Sequence, residues 1–209
     1  MRDLIERAGA LAARAVRARR RVVLGLTGPP GAGKSTLAEA LVAGLGPAVA
    51  AYLPMDGFHL ADALLRSLGI RDRKGAPDTF DADGYAHLLA RVREATETVY
   101  APRFDRARED PVAGALRIAP AVPLVITEGN YLLLWPPVRA QLDEVWYLDP
   151  PQDERIARLA ARHEQFGKSP AEAAWWAGCI DEANAQQIAR TRDDADLVLA
   201  RWTAPSGHR

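Results

Sequence analysis

Gly28-Pro29-Pro30-Gly31-Ala32-Gly33-Lys34-Ser35-Thr36 lies directly after the apolar segment Val22 to Thr27 and directly before the helical pattern Leu37, Ala38, Leu41, Val42 and Leu45. Glycines at 28, 31 and 33 let the backbone enter positive φ, so successive N–H groups turn inward, and the following helix adds the positive end of its dipole. The run is a cradle for an anion, and its spacing suits the tail of a nucleoside triphosphate. Lys34 would reach the β- and γ-phosphates, and the Ser35 hydroxyl would ligate a magnesium ion bridging them. Only three of the 27 basic residues are lysine, so the motif does not arise from a lysine-rich background. A Gly/Pro-rich turn with an exposed lysine is the competing reading, and the strand-loop-helix order stands against it.

The surrounding composition narrows the class. At 209 residues, 48% hydrophobic and 26% charged, the chain suits one globular domain with a single sizeable core. Lys plus Arg equals Asp plus Glu at 27 each, so no global field steers the molecule toward nucleic acid or an acidic membrane. The basic run Arg17 to Arg21 reads as a solvated helix end and comes with no aromatic platform for nucleic acid. Cys179 is the single cysteine, which excludes an internal disulfide and a cysteine-based zinc cluster and fits a reducing compartment. With no hydrophobic leader and no bilayer-length apolar stretch, the expectation is a cytoplasmic, soluble protein without a membrane partner. A homodimer is left open.

In chain order, residues 3 to 18 predict an amphipathic helix. Ala48 to Pro54 predicts a second buried strand, making a βαβ unit and hence a parallel sheet. Residues 66 to 82 read as a charged loop, and 84 to 98 as a helix. Val99 to Pro111 with Leu116 to Ile118 reads as an inserted hairpin. Leu124 to Ile126, Glu144 to Leu148 and Leu197 to Ala200 predict three more strands, with a helical region from Gln152 to Arg190 broken at 167 to 170. Trp175 and Trp176 are expected to pack into the core or under that region.

In open parallel sheets ligands bind beyond the carboxyl ends of the strands, which directs attention to Asp56, Glu128 and Asp149 as well as the glycine loop. Asp56 reads as a base that orients and deprotonates an alcohol attacking the γ-phosphate, with helix capping ahead of Phe58 as the competing role. Glu128 ends a buried strand, where a carboxylate needs a cation, and the magnesium held by Ser35 supplies one. Glutamate is one methylene longer than the aspartate many such sites carry. Arg155, Arg158 and Arg162 share an arc of one helix that could close over the site and deliver charge to a transferring phosphoryl group; a solvated face is the alternative.

Four further stretches resemble motifs of the P-loop kinases that include phosphoribulokinase, uridine kinase and type I pantothenate kinase. They are DGFH at 56–59, RKGAPDTFD at 73–81, PRFDR at 102–106 and EGNYLLL at 128–134, with TRDDADLVL at 191–199 similar to a C-terminal strand pattern. The bacterial branch often labelled fructose transport system kinase or nucleoside kinase-like is especially similar. The resemblance implies ATP- and Mg2+-dependent phosphoryl transfer to a small-molecule alcohol, with Asp56 as base and Lys34, Arg158 and Arg162 stabilising charge. It places His59, Lys74, Asp78, Arg103, Phe104, Arg106, Glu128 and Tyr131 around the substrate. Phe104 stands where uridine kinases have tyrosine, and Glu109 where they have histidine, so the features that read a pyrimidine are altered. Arg103, Arg106 and Arg108 suit an anionic acceptor, with surface ion pairs as the alternative.

The expected architecture is a single α/β domain over 1–209: a three-layer P-loop NTPase fold with a parallel core sheet, an N-terminal helix at about 1–20, a substrate-binding insertion with a small β-hairpin at about 66–120, and a helical lid at about 152–170. The rival function is a nucleotide-switched ATPase that signals to a protein partner.

Overall fold

A computed structural model describes residues 1–167, 169–200 and 202; residue 168 of the expected lid, and 201 and 203–209 of the expected domain, lie outside the described residues. The apolar run Val22–Thr27 forms β1 at the centre of a five-stranded sheet. β2 (Ala50–Pro54), β5 (Leu124–Glu128), β6 (Glu144–Leu148) and β7 (Leu197–Leu199) complete it in the order β2-β5-β1-β6-β7, and every pairing is parallel. β3 (Val99–Asp105) and β4 (Asp110–Ile118) form a separate antiparallel hairpin.

Alternation along the strands builds the layers. Val22, Leu24 and Leu26 of β1 pack with Leu124 and Ile126 of β5 against the face formed by α1 (Arg2–Ala18) and α2 (Lys34–Leu45). Val23 and Val125 point the other way, toward Tyr85 and Leu89 of α4 (Ala82–Glu94) and Val138 of α5 (Pro136–Arg139). Parallel strands buried on both faces need helices on both, and the result is the three-layer P-loop fold. Register pairs Leu26 and Pro54 with Glu128, so β1, β2 and β5 end level and present their following loops at one edge.

The segment 66 to 82 has more structure than a loop: α3 (Asp62–Ser67) enters it, and two 3-10 turns, Arg71–Arg73 and Pro77–Thr79, organise the rest. The C-terminal helical region divides into α6 (Gln152–Gln165), α7 (Pro170–Trp175), a π-helical turn Trp176–Ile180 and α8 (Asp181–Ala189). Ser169 and Glu172 form a reciprocal cap that starts α7. The last strand stops at Leu199, one residue short of the expected end.

Two expectations need correction. Arg21 is buried rather than solvated: its guanidinium donates to the carbonyls of Val122 (2.9 Å), Ala119 (3.1 Å), Pro120 (2.8 Å) and Val92. Its planar fork matches a turn of converging carbonyls, something a basic run does not reveal. Trp175 is 54% exposed rather than packed, its ring meeting Trp176 edge-on.

Candidate active site

The loop after β1 has the geometry its glycines imply. Gly28, Gly31 and Gly33 all have positive φ (141°, 79° and 88°). A Cβ on Gly28 would lie 2.4 Å from the Leu148 carbonyl oxygen, and one on Gly31 2.6 Å from that of Arg155, so β6 and α6 leave no room for a side chain. Pro29 accepts from the Ala32 amide at 3.2 Å, tightening the turn. Lys34 folds back over the loop, its Nζ donating to the carbonyls of Gly28 (2.9 Å) and Pro29 (3.0 Å). Burial lowers the Lys34 ammonium to about 8, against the pull of Glu128 and Asp56. An arriving polyanion would supply the negative charge that this lysine and the first amides of α2 lack.

Glu128, at the end of β5, is buried and accepts from Ser35 Oγ (3.1 Å) and Tyr52 Oη (2.7 Å). Burial pushes its carboxyl up, and the charge of Asp56 adds to that. Asp56 sits in the 3-10 turn Met55–Phe58 after β2, so its role is not to cap α3; its nearest cation is Arg106, at 4.0 Å. Gly57 next to it lets the hairpin come close, since a Cβ there would meet the Pro102 carbonyl oxygen at 2.4 Å.

Three adjoining chambers surround these groups. The first, about 500 Å³, opens between α2, β2 and the hairpin and is lined by Glu39, Tyr52, Pro54, Val112 and Ala115, with Arg103 and Phe104 among the hairpin residues. The second, about 300 Å³, lies toward α8 and is lined by His59, Lys74, Phe80, Asn130, Asp181 and Asn184, among others. The third, about 330 Å³, runs between the loop and α6, past Gly33, Thr36, Arg158 and Phe166. Ser35 and Arg106 line all three; Asp56 and Glu128 border the first two, and Lys34 and Arg162 the second and third. The chambers therefore meet where the loop, the strand-end carboxylates and the hairpin converge.

The remaining expected site residues are distributed unevenly. His59 stacks on Phe80 with ring centroids 3.9 Å apart and faces Phe104; its Nδ1 is buried without a partner, and burial lowers the imidazole to about 4. Lys74 is held by Asp62 and the Glu109 carbonyl and lies 5.3 Å from the Phe104 ring centre. Arg162 is held below its usual pKa by burial and then by Arg106, so two arginines from different elements approach one another here. Arg158 pairs with Glu154 along the exposed face of α6 and reaches only the third chamber, while Arg155 is buried against Glu182. Asp78 and Tyr131 do not join the chamber walls described: Asp78 pairs with Arg73 at 3.0 Å, about half exposed, and Tyr131 is buried, donating to the Gly75 carbonyl at 2.6 Å. Arg108 pairs with Asp105 instead of entering the site. Asp149 accepts from Arg192 at 2.8 Å.

Tyr52, Glu39, His163, Asp181 and Asn184 also line the chambers, and no motif in the sequence singles them out. Tyr52 was legible as the only hydrogen-bonding side chain in Ala50–Pro54; the α8 residues gave no local signal, because only the tertiary fold returns that helix to the site. Trp202 lies beside the loop, Nε1 to the Ala32 carbonyl at 3.5 Å.

No family model matches the chain. It is 37% identical over 170 residues to the ATP-dependent kinase-like protein notR' of Aspergillus versicolor, spanning 74% of this chain and 99% of that one. It is 34% identical over 192 residues to the Escherichia coli protein YggC, 88% and 79% covered respectively. A solved structure from Silicibacter sp. TM1040, described as a "putative fructose transport system kinase", superposes with a TM-score of 0.79 at 39% identity, covering 90% of this chain and 98% of that one. These matches cover 74–90% of the chain, and the chain belongs to the P-loop kinases of the phosphoribulokinase, uridine kinase and pantothenate kinase family, the ATP-dependent phosphotransferases that act on small molecules.

Proposed function

We propose that the enzyme transfers the γ-phosphoryl group of ATP to an alcohol group of a sugar, nucleoside or related metabolite, with Asp56 as general base. The observation that carries this reading is that Asp56 borders both acceptor-side chambers, with its side chain 38% exposed and 4.0 Å from Arg106, while Lys34 and Arg162 border the phosphate side. A carboxylate so placed can take the proton of an alcohol as its oxygen attacks in line. The third chamber suits the triphosphate, and the second holds the acceptor between His59, Phe104 and Lys74. Lys34, Arg106 and Arg162 take up the charge that spreads over the transferring group.

Magnesium fits the donor set. A hydroxyl and a buried carboxylate are the hard oxygen ligands it takes, and Glu128, kept short of donors beyond Ser35 and Tyr52, gains from a cation. Ser35 would bind the ion and Glu128 would hold it or its water. When bound, the metal would neutralise the β- and γ-phosphate oxygens. Among the described residues no group of three or more His, Cys, Asp or Glu could hold a metal ion.

Asp56→Asn tests the assignment. Acceptor-stimulated ADP release, screened across sugars, nucleosides, glycerate and pantothenate, should fall by about 10²–10⁴-fold at unchanged ADP affinity. Turnover equal to wild type would remove Asp56 from the chemistry.

A further inference from the structure

β2 contributes a side chain that phosphoryl transfer itself does not call for. Tyr52 projects from an otherwise apolar strand onto the face shared with Glu128, one strand away, where Pro54 is the register partner of Glu128 and Tyr52 that of Ile126. Its Oη donates to Glu128 Oε1 at 2.7 Å, and Ser35 Oγ donates to the same oxygen at 3.1 Å. Two elements, the start of α2 and the adjacent strand, thus clamp one atom. Both hydrogen bonds that the carboxylate accepts among the described residues fall on Oε1.

We propose that Tyr52 is a positioning residue for the magnesium site, fixing Oε1 of Glu128 so that Oε2 is turned toward the ion or its water shell.

This rests on the reading of Glu128 as the metal-side carboxylate. Glutamate carries one more rotatable bond than aspartate, and its terminal torsion is broad, so a glutamate at this strand end has orientations an aspartate lacks. A donor on a neighbouring strand removes them. A phenol does so with one proton and no charge, whereas a lysine in its place would compete with the cation. Tyr52 forms part of the wall of the first chamber, beside Ser35 and Glu128.

The test is calorimetric titration with ADP in excess MgCl2 and again in EDTA, for wild type, Tyr52→Phe, Glu128→Gln and the double variant. The ratio of the two dissociation constants measures how far magnesium tightens the nucleotide. Tyr52→Phe keeps the ring, so affinity in EDTA should stay within twofold of wild type while the magnesium ratio falls about tenfold or more, the scale of losing an outer partner of a metal ligand. Glu128→Gln should lower the ratio further, and adding Tyr52→Phe to it should change nothing. An unchanged ratio in Tyr52→Phe, with Glu128→Gln lowered, overturns the role of Tyr52 and leaves Glu128 in place; an unchanged ratio in Glu128→Gln overturns the reading beneath it. Equal loss in EDTA and in magnesium would make Tyr52 a packing residue and also overturn the proposal. If thermal melting shows Tyr52→Phe unfolded, Tyr52→Met, with similar volume and no donor, carries the same expectations.

Discussion

His59 offers a direct thermodynamic test of how the acceptor side is built. Its imidazole is stacked on Phe80 and enclosed by Phe104, with Nδ1 buried and unpartnered, and burial holds it at about 4 instead of the usual 6.5. Of the neighbouring charges Asp56 opposes burial most, Lys74 and Arg106 reinforce it, and Asp62 opposes it least. Because the folded value is the lower one, the unfolded chain takes up the proton first. The stability present above pH 6.5 is therefore lost as pH falls toward 4. Between pH 7 and pH 5 this amounts to about 2 kcal/mol, or about 4–8 °C in Tm for a chain of this size. The assay is thermal or urea melting of wild type and His59→Gln at both pH values: the variant should lack this share of the acid sensitivity. Proton NMR of the imidazole resonances, with His59 assigned by its loss in the variant, reads the same quantity directly. A His59 resonance titrating with a midpoint above 6, or identical acid sensitivity in the two proteins, would refute the argument that enclosure keeps this ring neutral.

Arg21→Ala should destabilise by about 3–5 kcal/mol, because it leaves the carbonyls of Val92, Val122, Ala119 and Pro120 buried without their donor. Urea unfolding measures it, and a loss under about 1 kcal/mol would show that the turn finds other partners. The two arginines of α6 should separate. Arg162→Ala should lower kcat by about 10²-fold or more, whereas Arg158→Ala, already paired with Glu154 on the exposed face, should cost under about threefold. Equal effects in steady-state kinetics would contradict the geometry.

How much of this was legible depended on the range of the signal. The strand-loop-helix at Val22 to Leu45, the apolar runs at Leu124 and Glu144, and the hairpin from Val99 are local patterns, and each became the expected element because a short segment's period and its turn residues suffice to specify it. Arg21 was misread because its environment, the turn at 119–122, lies a hundred residues away in sequence; a guanidinium among carbonyls looks like any other charge in a basic run. Trp175 was misjudged for a related reason: the cap at Ser169 fixes where α7 starts, and so which of two adjacent tryptophans faces outward. At the site, residues on loops directly after strands were readable from topology. Those on α8, and Tyr52 in mid-strand, required knowing which elements fold back upon one another. Arg158 and Arg162 show the limit of helical spacing, which puts both on one arc without revealing that Arg162 borders the second and third chambers while Arg158 borders only the third.

The absence of a side chain at Gly57 has a mechanical consequence. The peptide that follows Asp56 lies against the backbone at Pro102, closer than any other residue type would allow, so the base position and the hairpin are packed directly on one another. The opposite bank is built from α6, α7 and α8 with a π-helical turn between the last two, and it is there that a closing movement would be sought. Under the proposed reading, acceptors would be sorted by the shape of the hairpin bank, and commitment to transfer would fall to the helical one.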